Sequence, residues 1–313
     1  MPSIRAHLLS IMVKGMRVRR TWDGAERIER AVAADRKKGP TRPPRALVAR
    51  MSVREAEFDG RRVYIVGPRT GDGHRQVLYL HGGGWSISIT DPHWQLIAKL
   101  VQRLGCTVTV PMYPLAPEHT AEGVFAYLLP LYADLVNRWG AGALTVMGDS
   151  SGGNVALSLV LQARARGLPQ PGRIVLLSPF LDATLTDPRI AELDRTDSII
   201  TARGLRAFAD RYAGGLDPGD PIVSPLFGNL DGLAPVAVFT STSEILNADA
   251  HLLRQAASRA GFPLTWHEYP GMLHVWPLFP IPEADRAIDQ MVEFITGGPR
   301  ESLTAHEDSA GRP

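Results

Sequence analysis

Ser150 stands in Gly148-Asp149-Ser150-Ser151-Gly152, and this spacing suits a nucleophile. The apolar run 143–147 leads into it, and Gly153-Asn154-Val155 leads out into a helical pattern. A strand-to-helix turn sharp enough to lift a hydroxyl above the strand end strains its central residue. It also leaves no room for side chains two residues away on either side. The N–H groups that follow open a helix N-terminus, which favours developing negative charge. Ser151 competes as nucleophile, but only Ser150 has glycine two residues away on both sides. The plain alternative is a tight Gly/Ser turn without chemistry.

A second segment offers bare backbone. The run Gln76–Leu80 ends in His81-Gly82-Gly83-Gly84-Trp85. Three successive glycines are entropically costly. N–H groups aimed at a reacting oxygen explain them. A phosphate loop is the rival, but no Gly-Lys-Ser/Thr follows. His81 precedes Ser150, whereas the base of this chain order comes last. Its expected role is to hold the glycine loop.

The base should follow the last strand. Leu264–Tyr269 reads as that strand and Gly271-Met272-Leu273-His274 as its loop, which favours His274 over His267 inside the strand. The acid should follow the strand 236–239, where Glu244 and Asp249 both occur. Glu244 lies in the loop and is preferred. Asp249 lies where the next helix begins, and a favourable helix-dipole position explains it without chemistry.

Seven short apolar or β-branched runs alternate with helical stripes, as in a mostly parallel sheet covered on both faces. The turn at Asp59-Gly60 predicts an antiparallel start. Residues 181–225 break the rhythm and read as an insertion over the C-terminal edge of the sheet. The tail 298–313 reads as disordered. Of 313 residues, 44% are hydrophobic and 21% charged, which excludes a disordered or fibrous chain. The net charge of +2 gives no global drive toward nucleic acid. The single Cys106 excludes an internal disulfide framework and a Cys-rich metal site.

Charge is unevenly spread. Residues 1–45 carry 12 Lys/Arg against 4 Asp/Glu, a net +8, which leaves −6 for the remainder. The apolar stretch 6–13 is followed by Lys14-Gly15-Met16-Arg17-Val18-Arg19-Arg20 where a signal peptide would carry small residues. The expectation is a cytoplasmic protein without stable membrane insertion. Leu8, Leu9, Met12, Val13 and Met16 recur at helical spacing, as in a packed helix, a cap over a site or a membrane-surface helix.

Together these motifs make the chain resemble the hormone-sensitive-lipase-like (family IV) esterases of the α/β-hydrolase superfamily, over residues 46–297. Tyr113-Pro114-Leu115-Ala116-Pro117-Glu118 adds to the likeness. The resemblance implies an α/β fold with a mostly parallel eight-stranded sheet, flanking helices and a helical cap built from 1–45 and 181–225. It implies a Ser150-His274-Glu244 triad and an oxyanion hole from the N–H groups of Gly83, Gly84 and Ser151. The family usually has alanine where Ser151 stands, and Asp-Tyr-Arg where Met112-Tyr113-Pro114 stands. The expected reaction is hydrolysis of small-molecule carboxylic esters of short to medium acyl length, without metal or organic cofactor. Amide or lactone hydrolysis by the same machinery, or a non-catalytic receptor on this fold, are the alternatives. Trp85, Leu181 and Trp276 either line an apolar acyl pocket or pack in the core. A homodimer is expected only through the likeness.

Overall fold

In the computed structural model, which describes residues 2–70 and 73–297, the seven runs and one further strand before the Asp59-Gly60 turn form one eight-stranded sheet. The tail 298–313 lies outside the described residues. The strands are β1 (Ser52–Phe58), β2 (Arg61–Gly67), β3 (Gln76–Leu80), β4 (Thr107–Pro111), β5 (Leu144–Asp149), β6 (Arg173–Leu177), β7 (Val236–Ser241) and β8 (Leu264–Tyr269). Their spatial order is β1-β2-β4-β3-β5-β6-β7-β8. Asp59 and Gly60, both at positive φ, turn β1 into β2 as an antiparallel hairpin pairing Phe58 with Arg61. β2 is also antiparallel to β4, and every pairing beyond it is parallel. Every residue of β3, β5 and β7 is buried, as a sheet covered on both faces requires.

The helices are α1 (Ile4–Gly15), α2 (Val18–Thr21), α3 (Ala25–Lys38), α4 (Arg45–Arg50), α5 (Asp91–Leu104), α6 (Ala121–Trp139), α7 (Ser151–Ala165), α8 (Ile190–Thr196), α9 (Ala202–Ala213), α10 (Asn247–Ala260) and α11 (Pro282–Thr296). On one face of the sheet α3, α6, α7, α9 and α10 close a core around Leu78, Val146 and Leu176. On the other, α4, α5 and α11 close a second core around Val77, Met147 and Val175. Alternate strand residues serve alternate cores, as the two-residue period of a strand dictates.

The N-terminal helices divide between these layers. Ser3 caps α1 by accepting the Ala6 N–H, and its own N–H and hydroxyl donate to the Glu283 carboxylate at 2.6 and 2.9 Å. This leans α1 on α11 rather than on the insertion. α3 packs on α9, and the Trp22 ring lies 6.0 Å from that of Phe208. Arg36 of α3 donates to the carbonyls of Ser86 and Ala116 at 2.8 Å and to the Glu118 carboxylate at 2.9 Å. The segment 181–225, holding α8 and α9, therefore packs with α3, which Arg36 ties to the loops after β3 and β4.

Candidate active site

β5 ends at Asp149, and Ser150 turns the chain into α7 with φ 52° and ψ −122°, a strained conformation for a residue with a side chain. Neighbouring hydrogen bonds hold it there. The Ser150 N–H donates to Leu177 O at 2.8 Å, and its carbonyl accepts from Phe180 N at 3.1 Å. The flanking glycines are steric necessities. A Cβ on Gly148 would lie 2.2 Å from Gly152 O, and one on Gly152 would lie 2.1 Å from Leu80 O.

His274, in the loop after β8, brings Nε2 to 3.0 Å from Ser150 Oγ. Its Nδ1 lies 2.7 Å from Glu244 Oε2. The carboxylate can only accept, so Nδ1 carries the proton and Nε2 offers its lone pair to the serine hydroxyl. Glu244 is fully buried after β7. Its Oε1 accepts from Thr240 Oγ1 at 3.0 Å and from Ser241 N at 2.8 Å. Ser241 Oγ donates to Met272 O, which ties the acid loop to the histidine loop. Burial alone would favour neutral His274. The hydrogen bond and charge of Glu244 outweigh it, with Asp197 and Asp149 adding, and the imidazole is pushed above its ordinary value.

The glycine loop faces the same point. Gly82 N donates to Asp149 Oδ1 at 3.0 Å, and Trp85 N donates to Ser151 Oγ at 3.1 Å. Between these two anchors, the N–H groups of Gly83 and Gly84 have no protein acceptor among the described residues; nor has that of Ser151 at the start of α7. Gly84 has φ +60°, and a Cβ there would meet the Phe208 ring at 2.5 Å. A half-buried serine in line with a buried histidine and carboxylate, beside three free N–H groups, can hold an attacking oxygen, move its proton and receive an oxyanion.

A family model described as the α/β-hydrolase fold matches residues 77–278. The chain belongs to the α/β-hydrolase family. Among its relatives is an acetyl-hydrolase of Streptomyces hygroscopicus, 32% identical over 241 residues, covering 76% of this chain and 80% of the relative. An esterase of Acinetobacter venetianus is 33% identical over 224 residues, covering 70% and 74%. The solved structure of an esterase from the bacterial hormone-sensitive lipase family superposes with a TM-score of 0.76 at 25% identity, covering 86% of this chain and 97% of that one. Within the α/β hydrolases the chain lies with the hormone-sensitive-lipase-like esterases.

Around the site, this α/β hydrolase places the remaining sequence candidates differently. Asp249 does not approach His274. Its Oδ2 accepts the N–H groups of Leu181 and Asp182 at 2.7 and 3.0 Å, and burial pushes its carboxyl well up. His81 Nδ1 lies 2.8 Å from Gly82 O, and its ring stacks on Tyr113. Burial, then the neighbouring His93, lowers it to about 4, so it stays neutral. His267 stacks on Phe239 inside the sheet, and burial lowers it likewise to about 4.

Of the two readings of Trp276, its placement matches core packing. That side chain is fully buried in the core on the α5/α11 face, 5.0 Å from the Tyr269 ring. Trp85 is buried against Tyr212 at 4.4 Å and Phe180 at 5.1 Å, in the opposite core. Leu181 is fully buried in that same core.

Three participants were not singled out by sequence. Asp149 takes the Tyr79 hydroxyl at 2.6 Å as well as Gly82 N, and His93 Nε2 lies 3.4 Å from its other oxygen. Burial raises its carboxyl, and His93, Tyr79 and Gly82 together overcome this and lower it. Its place beside Ser150 at a buried strand end is a readable signal. Asp197 accepts from Ile199, Ile200 and Ile245 N–H groups close to Glu244. Phe208 closes over Gly84. Both lie in the insertion, where no local pattern marks them.

Proposed function

We propose that the protein hydrolyses carboxylic esters of short to medium acyl length through Ser150, His274 and Glu244. The observation that carries this reading is the unbroken line from Ser150 Oγ to His274 Nε2 and from Nδ1 to Glu244. Ser150 Oγ attacks the ester carbonyl while His274 Nε2 takes its proton. The tetrahedral oxyanion is received by the Gly83, Gly84 and Ser151 N–H groups. His274 gives the proton to the departing alcohol, which leaves an acyl-serine. A water then attacks the acyl carbon with His274 again as base, and the acid is released as Ser150 regains its proton. Glu244 keeps the tautomer and stabilises the imidazolium. A short acyl preference is supported by the acetyl-hydrolase relative. The bulk of Trp85, Phe180, Tyr212 and Phe208 filling the space beside the glycine loop supports it too.

The test is Ser150→Ala with p-nitrophenyl butyrate. The expected loss in kcat is on the order of 10⁴-fold or more. A fluorophosphonate probe should label the parent protein and not the variant. Near-full activity of Ser150→Ala would remove the serine from the reaction. A parent protein inert to both ester and probe would favour a receptor.

A further inference from the structure

The outward face of α1 is apolar. Ile4, Leu8, Ile11, Met12 and Met16 are between 54% and 81% exposed, and they are five of the eight large apolar side chains exposed among the described residues. At helical spacing they share one stripe. The helix meets the body through Ala6 and Val13 instead, which are buried.

Beside this helix lies a cavity of about 760 Å³ between the α1–α2 segment and α8–α9. Lys14, Arg17, Arg20, Arg195 and Arg203 line it, and among the described residues none of the five pairs with a carboxylate. Arg19 differs, being held by Asp194 at 2.5 Å. Asp197, on the same wall, is occupied by three backbone N–H groups. A narrower opening shares Lys14, Thr196, Ser198 and Ser243 with the cavity, and reaches Leu273 and His274. Ser10 of α1 is on its wall. The apolar stripe and Lys14, Arg17 and Arg20 among the unpaired cations therefore belong to one short segment, 4–20, with Arg195 and Arg203 across the cavity from it.

We propose that this end docks on an anionic lipid surface, with the α1 stripe among the acyl chains and the cations at the headgroups. Charge selects the occupant. The first 45 residues carry +8, so a second copy seated stripe to stripe would set like charge against like. A neutral bilayer would use the stripe and leave the cations without partners. An anionic one uses both, as amphipathic interfacial helices do. No helix among the described residues is long and apolar enough to cross a membrane, so the attachment is peripheral. The docking goes beyond the proposed reaction and does not depend on it.

The experiment is cosedimentation of the full chain with vesicles of phosphatidylcholine alone, or of phosphatidylcholine mixed with phosphatidylglycerol. Binding to the mixed vesicles should be stronger by on the order of tenfold or more, and should weaken with salt. Leu8→Ser/Ile11→Ser should lower the partition by on the order of tenfold or more while p-nitrophenyl butyrate turnover stays unchanged. Arg17→Gln/Arg20→Gln should lower it by on the order of tenfold at low salt. Partition indifferent to phosphatidylglycerol, or unchanged in both variants, would overturn the proposal. So would light scattering that shows a dimer dissociated by Leu8→Ser/Ile11→Ser, with no vesicle binding. Vesicle binding by a protein inert to the ester would uphold the docking and sink the reaction.

Discussion

Ser151 Oγ accepts the backbone N–H of Trp85 at 3.1 Å, so a side chain of α7 holds the far end of the glycine loop. The hydroxyl is fully buried and has no part in the proposed proton path. Ser151→Ala would leave the Trp85 N–H unpartnered, at about 1–3 kcal/mol. The loop would lose one of its anchors while its free N–H groups remained. The expected outcome is a fall in kcat on the order of tenfold with KM little changed, and recovery in Ser151→Thr. Steady-state kinetics on p-nitrophenyl butyrate check it. Equal losses in the alanine and threonine variants would show that the hydroxyl does not position the loop.

The two carboxylates after β7 separate cleanly. Glu244→Gln keeps the shape but can no longer stabilise the imidazolium or fix its tautomer. A loss on the order of 10³–10⁴ in kcat is expected, by analogy with the handling of triad acids in other hydrolases. Asp249 is held toward its neutral form by burial, so Asp249→Asn should keep kcat within about tenfold. Asp249→Ala would strip the acceptor from the Leu181 and Asp182 N–H groups, and should lower thermal stability by about 1–3 kcal/mol for each. Inactivation by Asp249→Asn alone would reverse the assignment.

What could be read from sequence follows from how local each signal is. Gly148, Ser150 and Gly152 announce themselves because one turn imposes all three. Seven strands are readable as apolar or β-branched runs, whereas β1, with no residue buried, is signalled only by the turn at Asp59-Gly60. His274 is preferred on chain order, a property of topology rather than of its neighbours, and the fold brings it to 3.0 Å from Ser150 Oγ. For Trp276 the sequence leaves pocket and core open, because a loop indole looks the same in either place. Its placement is decided by which face of the sheet the loop returns to. Phe208 and Asp197 had no local mark at all, since each matters only through a contact with a loop distant in sequence.

The proposed base predicts a particular pH dependence. Catalysis needs neutral His274 to take the serine's proton. Burial opposes its charged form, but Glu244, Asp197 and Asp149 more than compensate and raise it. A raised value means that the active form is lost at a higher pH than for an ordinary histidine as pH falls. The acidic limb of kcat/KM should therefore have its midpoint above the ordinary value of about 6.5. His81 and His267, both lowered to about 4, lie too low to produce that limb. Glu244→Gln removes the chief raising influence, so the residual activity should show the limb displaced to lower pH. A midpoint below 6 in the parent protein would contradict the arrangement.

Gly84 tests the other half of the site. Its φ of +60° strains any residue with a side chain, and a Cβ would meet Phe208 at 2.5 Å. Gly84→Ala therefore requires either the loop or α9 to move. Movement of the loop misdirects an N–H proposed to receive the oxyanion, and one such donor is worth about 10²–10³ in kcat. Movement of α9 would loosen the cap and chiefly alter KM. Phe208→Ala removes the obstructing ring without touching the loop. If the clash is the cause, Gly84→Ala/Phe208→Ala should recover part of the kcat lost in Gly84→Ala, leaving the backbone strain as the remainder. If the two losses simply add, Phe208 does not act on the loop, and the tie between the insertion and the glycine backbone has no bearing on turnover.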